Sequence, residues 1–167
     1  MAEKDTVFSS STKYAGVFSF KDLYAFCYEW LTEETGLDLG EGKYEEKIKG
    51  DSKDILVEWS GIKNVSDYFR FQIDVVFSIG GLKNVEVTQG GKKIQTNQGG
   101  VKVSVKGTLI RDYKGKFETT AFNKFLRSIY EKWVITSRID QFEGKLAGKC
   151  NDFIEQVKAY LALEGKK

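Results

Sequence analysis

The side chains of this chain that could do chemistry are carboxylates, lysines, hydroxyls and two thiols, because its 167 residues contain no histidine. That absence removes Ser-His-Asp and Cys-His nucleophilic sites, imidazole-ligated metals and the usual neutral-pH general base. Cys27 and Cys150 stand alone, without the paired spacing of a zinc ribbon or a thioredoxin-type site, and read as small core hydrophobes. The carboxylate groupings Glu33-Glu34, Glu45-Glu46, Asp51/Asp54 and Asp140/Glu143 lie in charged stretches that read as solvent-exposed surface rather than as acid/base pairs. Asp74, in the middle of a strand beside Arg70 and Gln72, reads as a structural partner. Ser9-Ser10-Ser11 has no base to activate it. The glycine-rich stretch Gly36 to Lys43 carries Glu41 where a phosphate loop needs glycine, and it follows a helix and precedes a strand, the reverse of the required order. No catalytic, metal or cofactor site is therefore expected.

Charge offers a second kind of chemistry. The chain has 26 Lys+Arg and 24 Asp+Glu, but they are segregated. Residues 1–60 carry thirteen acids and seven bases, whereas residues 80–117 carry eight bases and two acids. Such asymmetry points to a contact within the fold, to self-association, or to a polyanionic partner. For nucleic acid the candidate residues are Arg70, Lys83, Lys92, Lys93, Lys102 and Lys106, on or near one sheet face. A third reading is an apolar small ligand in a cavity lined by Trp59, Phe71, Phe77, Phe125 and Trp133, although the same residues would fill an ordinary core.

The elements that must position these groups follow from periodicity. Phe20, Leu23, Tyr24, Cys27, Trp30 and Leu31 recur at helical spacing after Ser19, and Gly36 ends the run. Thr6 to Phe18 reads as a strand. Tyr44, Glu46 and Ile48 alternate with Glu45, Lys47 and Lys49, giving a charged edge strand, and Gly50 to Lys53 forms a turn. Phe69, Phe71, Ile73, Val75, Phe77 and Ile79 form the apolar face of a long strand, and Val101, Val103, Val105 and Leu109 that of the last one. Gly-Gly pairs at 80, 90 and 99 read as successive hairpin turns. Two helical stripes follow. Phe122, Phe125, Leu126, Ile129, Tyr130 and Trp133 are expected to face the core, as are Ile139, Phe142, Leu146, Cys150, Phe153, Val157, Tyr160 and Leu161. Gly144 and Gly148, four apart, read as a close packing contact, with a dimer seam as the alternative.

These elements predict a single α+β domain over 1–167, with a strand-helix-sheet part at 1–117 and a helical part at 118–167. Its curved antiparallel sheet of about five to seven strands is covered on one face by an N-terminal helix and a long C-terminal helix or helix pair, the order of a helix grip. The chain shows neither a secretory h-region nor an apolar run long enough to span a membrane, so cytoplasmic residence is expected.

The run VEVTQGGKKIQTNQGGVKVSVKGTLIRDYKGKFE and the ending FIEQVKAYLALEGKK resemble uncharacterised archaeal proteins. That resemblance implies an intracellular single-domain protein and assigns no functional residue. The leading expectation is a non-enzymatic domain that binds a protein or itself, with nucleic acid and an apolar ligand as the alternatives.

Overall fold

A computed structural model describes residues 3–115, 120–134 and 136–164, with the side chains of Trp133 and Val134 outside it. The chain runs β1 (Glu3–Phe18), α1 (Phe20–Thr35), β2 (Asp38–Lys49), β3 (Ser52–Asn64), β4 (Phe69–Gln89), β5 (Lys92–Arg111), α2 (Ala121–Ile129), a π-helical turn (Tyr130–Val134) and α3 (Thr136–Glu164). The five strands form one antiparallel sheet in the order β1-β5-β4-β3-β2. β2 to β5 are a meander, and β1 returns beside β5, so the first and last strands of the chain are neighbours. The charged strand β2 forms one edge of the sheet, as its composition predicts.

Alternation decides the faces. Phe69, Phe71, Ile73, Val75, Phe77 and Ile79 are buried, and so are the ladder neighbours of the last four on β3 and β5. Against this face lie α1, through Leu23, Cys27 and Leu31, and α3, through Leu146, Cys150, Phe153, Ile154, Val157 and Leu161. The two helices also pack on each other: the Phe26 and Tyr160 rings stack at 4.7 Å, and Trp30 meets Phe153 at 5.7 Å. The ends of α1 are as the sequence predicts, with Ser19 Oγ accepting from the Asp22 N–H at 3.3 Å and Gly36 closing the helix.

The glycine pairs behave differently from expectation. Of the three, Gly90-Gly91 alone is a hairpin turn. Gly80 instead lies opposite Gly100 inside the β4–β5 ladder, where the register slips between Gly80 and Lys83. The two strands therefore run through as 21 and 20 residues rather than breaking into short hairpins. A Cβ on Gly99 would lie 3.1 Å from the Gly80 carbonyl oxygen and from the Leu82 Cα, so a side chain there would require the facing backbone to give by a few tenths of an ångström.

Two further expectations are corrected. The stripe Phe122, Phe125, Leu126 and Ile129 does not face the core: α2 has no buried residue. Gly144 and Gly148 are exposed, with nothing within 4 Å of the position a Cβ would take, so they make no close packing contact within the chain. The close helix approach is made from the sheet side, at Gly107. A Cβ there would sit 2.7 Å from Cys150 Sγ and 3.3 Å from Leu146 Cγ, which marks the point where α3 crosses β5.

Gly107→Ala is expected to cost about 1–3 kcal/mol through overpacking, read as a lower urea midpoint at unchanged slope. Adding Cys150→Ala removes the clashing sulfur and should recover most of that loss. Simple additivity of the two losses would show that the crossing distance is not set at this pair.

Candidate binding surfaces

The face of the sheet opposite α1 and α3 carries no helix among the described residues. On it the ladder sets Lys13 of β1 directly opposite Lys102 of β5, and the next rows pair Ser11 with Ser104, Ser9 with Lys106 and Thr6 with Thr108. On the other side of β5, Lys102 faces Ser78 and Lys106 faces Asp74. Lys13, Lys102 and Lys106 are exposed, and among the described residues none has a carboxylate within 4.0 Å. Asp74 is instead held by the Gln72 side-chain amide, which donates to its two oxygens at 3.2 and 3.1 Å. Like charges placed directly opposite on a sheet are destabilising, so the fold gains nothing from the Lys13 and Lys102 pair.

The six residues that the sequence nominated for nucleic acid are only partly brought together. Arg70, Lys102 and Lys106 share this face, because Arg70 lies opposite Ile110, which alternates in step with the two lysines. Arg70 is engaged, however, donating to Asn64 Oδ1 at 2.7 Å with its guanidinium 4.5 Å above the Tyr113 ring. Lys83 lies beyond the bulge, opposite Gln98. Lys92 and Lys93 flank the hairpin turn, ten and nine residues from Lys102 along β5, roughly 30 Å away at strand rise. Lys13 is the residue that sequence reasoning missed. Its signal is long-range pairing, which alternation within β1 does not contain.

The cavity residues are also split. Trp59 and Phe77 are buried, their rings 4.8 Å apart, with Tyr24 and Tyr28 packed on the Trp59 indole at 4.9 and 5.7 Å. Phe71 is buried against Phe142. Phe125 stands apart from them on α2, and the Trp133 side chain lies outside the described residues.

Two part-buried lysines are tied to structure. Lys63 and Lys149 both donate to the Thr35 carbonyl, at 3.2 and 3.5 Å, where they cap the negative end of α1. Burial, and then the neighbouring Lys63 charge, push the Lys149 amine below its ordinary value. Burial raises both thiols, Cys150 to about 12. Among the described residues no group of three His, Cys, Asp or Glu side chains is placed to hold a metal ion. No helix of the described residues is long and apolar enough to cross a membrane.

The second surface is α2. Thr120 Oγ1 caps it by accepting from the Asn123 N–H at 3.0 Å. Its polar side is fixed to the domain by an ion network. Arg111 reaches Glu3 at 3.0 Å, Asp5 at 2.8 Å and Glu131 at 2.9 Å, while Arg127 reaches Glu3 at 2.9 Å and Asp112 at 3.6 Å. Tyr68 donates its hydroxyl to Glu131, and burial followed by the Glu131 bond holds that phenol above its ordinary value. A helix usually turns its apolar stripe inward. Here Asn123 and Arg127 are the residues of α2 turned inward, and Phe122, Phe125, Leu126 and Ile129 are left 65, 59, 37 and 39 % exposed.

The chain matches no protein-family model, and no curated protein or solved structure is similar to it at a significant level.

Arg111→Met should release α2. Three carboxylates then lose their shared partner, at a cost of about 2–3 kcal/mol, below that of a fully buried pair because Glu3 and Asp5 reach solvent. Hydrogen exchange across 120–132 should quicken more than in β4. Equal acceleration everywhere would show that the network stabilises the fold globally rather than pinning α2.

Proposed function

We propose that this domain is a non-enzymatic binding module whose uncovered sheet face takes up the phosphate backbone of a nucleic acid. The observation that carries the reading is the opposed pair Lys13 and Lys102, with Lys106 on the same face, all exposed and without a carboxylate within ion-pair distance among the described residues. A like-charge pair that weakens the sheet is stabilised by an anion laid across it. The hydroxyls of Ser9, Ser11, Ser78 and Ser104 lie in the same rows and supply neutral donors for phosphate oxygens.

No aromatic side chain projects from the strands of this face among the described residues, and Tyr113 lies under the Arg70 guanidinium. Base stacking is therefore not part of the mode, and contact is to the backbone, independent of sequence. The absence of histidine from the chain and the raised pKa values of both buried thiols support a module that binds rather than one that transforms.

Fluorescence anisotropy with a labelled 20-base-pair duplex tests this. Binding at 50 mM salt should weaken on raising salt, with a slope of about −3 in log K against log salt if three lysines each neutralise one phosphate. Lys13→Glu with Lys102→Glu should abolish it, and Lys92→Glu with Lys93→Glu should leave at least half the affinity. Absence of binding at low salt, or equal loss in the two double variants, would remove this reading.

A further inference from the structure

We infer that α2 is the dimerisation element of this protein and that the surface covering its apolar stripe is the same stripe of a second copy. Phe122, Phe125, Leu126 and Ile129 stand at i, i+3, i+4 and i+7, the spacing that meshes with another helix. The side of α2 that would otherwise be taken as its binding side is already engaged, since Arg127 is held by Glu3 and Asp112. The ion network thus presents the stripe outward in a fixed direction, which lowers the ordering cost of association.

Two arguments select a second copy among the surfaces that could cover the stripe. The first is size. The exposed fractions leave roughly 400 Å² of apolar side chain in water on each copy. At the apolar share of about 60–65 % found in homodimer contacts, two such stripes correspond to an interface of about 1,300 Å², within the range of about 1,200–2,000 Å² that holds stable pairs. The second is charge. A helix lying on an anionic lipid surface needs several free cations on its polar face; of the two cations of α2, Arg127 is matched by two carboxylates, which leaves Lys124 alone. An apolar stripe whose arginine is neutralised within the fold fits an uncharged seam between identical helices, related by a two-fold axis.

Sedimentation velocity between 1 and 200 μM tests this. The wild-type chain should pass from monomer to dimer in that range, with a midpoint unchanged between 50 and 500 mM salt because the seam is apolar. Phe125→Asp, and separately Phe122→Asp, should raise the dissociation constant at least about 30-fold, as expected for central interface residues. Thermal melting at a dilution where wild type is monomeric should be unchanged in both, since neither ring belongs to the core. Ile48→Asp, at the most exposed large hydrophobic residue outside α2 among the described residues, should leave the dimer intact. A monomer at 200 μM would overturn the assignment. So would a dimer that survives both α2 substitutions, or a monomer that binds vesicles of three parts phosphatidylcholine to one part phosphatidylserine through α2.

Discussion

The approach of α3 to β5 at Gly107 is the constraint on which the rest of the structure depends. Without a side chain at that position the helix comes close enough for Cys150 and Leu146 to rest on the strand itself. That contact sets the depth of the layer between sheet and helices. Phe153 on α3 then meets Trp30, and Tyr160 meets Phe26, so α1 takes its place from α3 as much as from the sheet. The apolar faces of β3, β4 and β5 close beneath the two helices with Phe77, Val75 and Val103 fully buried. Both long helices are committed to one side, and among the described residues no helix covers the polar side of the sheet.

The same geometry determines where α2 falls. β5 ends at Arg111, beside the start of β1, and α2 returns over that corner before α3 begins. The corner is polar: Glu3, Asp5 and Asp112 surround two arginines, with Tyr68 and Glu131 closing the set. A helix laid on such a corner is held by its charged stripe. Partly buried ion pairs contribute little net stability, but they fix orientation strongly because a misplaced charge there is costly. Orientation is what this network supplies. It makes a helix that contributes no buried side chain into a rigid part of the molecular surface.

Much of this was legible in the sequence, and the illegible parts share a cause. Alternation from Phe69 to Ile79 identified the inner and outer faces of β4 because burial on one side forces a period of two. The α3 stripe from Ile139 to Leu161 and the caps of α1 were readable for the same local reason. The glycine pairs were not, since Gly80-Gly81 and Gly90-Gly91 have the same composition while one forms a bulge and the other a turn; what separates them is the partner strand. Lys13 joined Lys102 only through the β1–β5 ladder, a pairing of residues 89 positions apart. In α2 the period was read correctly and its direction wrongly. Periodicity shows that a helix has two faces, and only the ion network, assembled from β1, β5 and the helix, decides which one looks inward.

The two buried thiols have a consequence for kinetics. Cys27 lies on α1 and Cys150 on α3, both with no exposed surface, and the chain has no other cysteine. Alkylation requires an accessible thiolate, which burial denies to each of them. Each sulfur is therefore labelled only during the moments when its own helix has left the sheet. The molecule carries two internal clocks, one per helix, and the difference between their labelling rates measures whether α1 and α3 let go together or in turn.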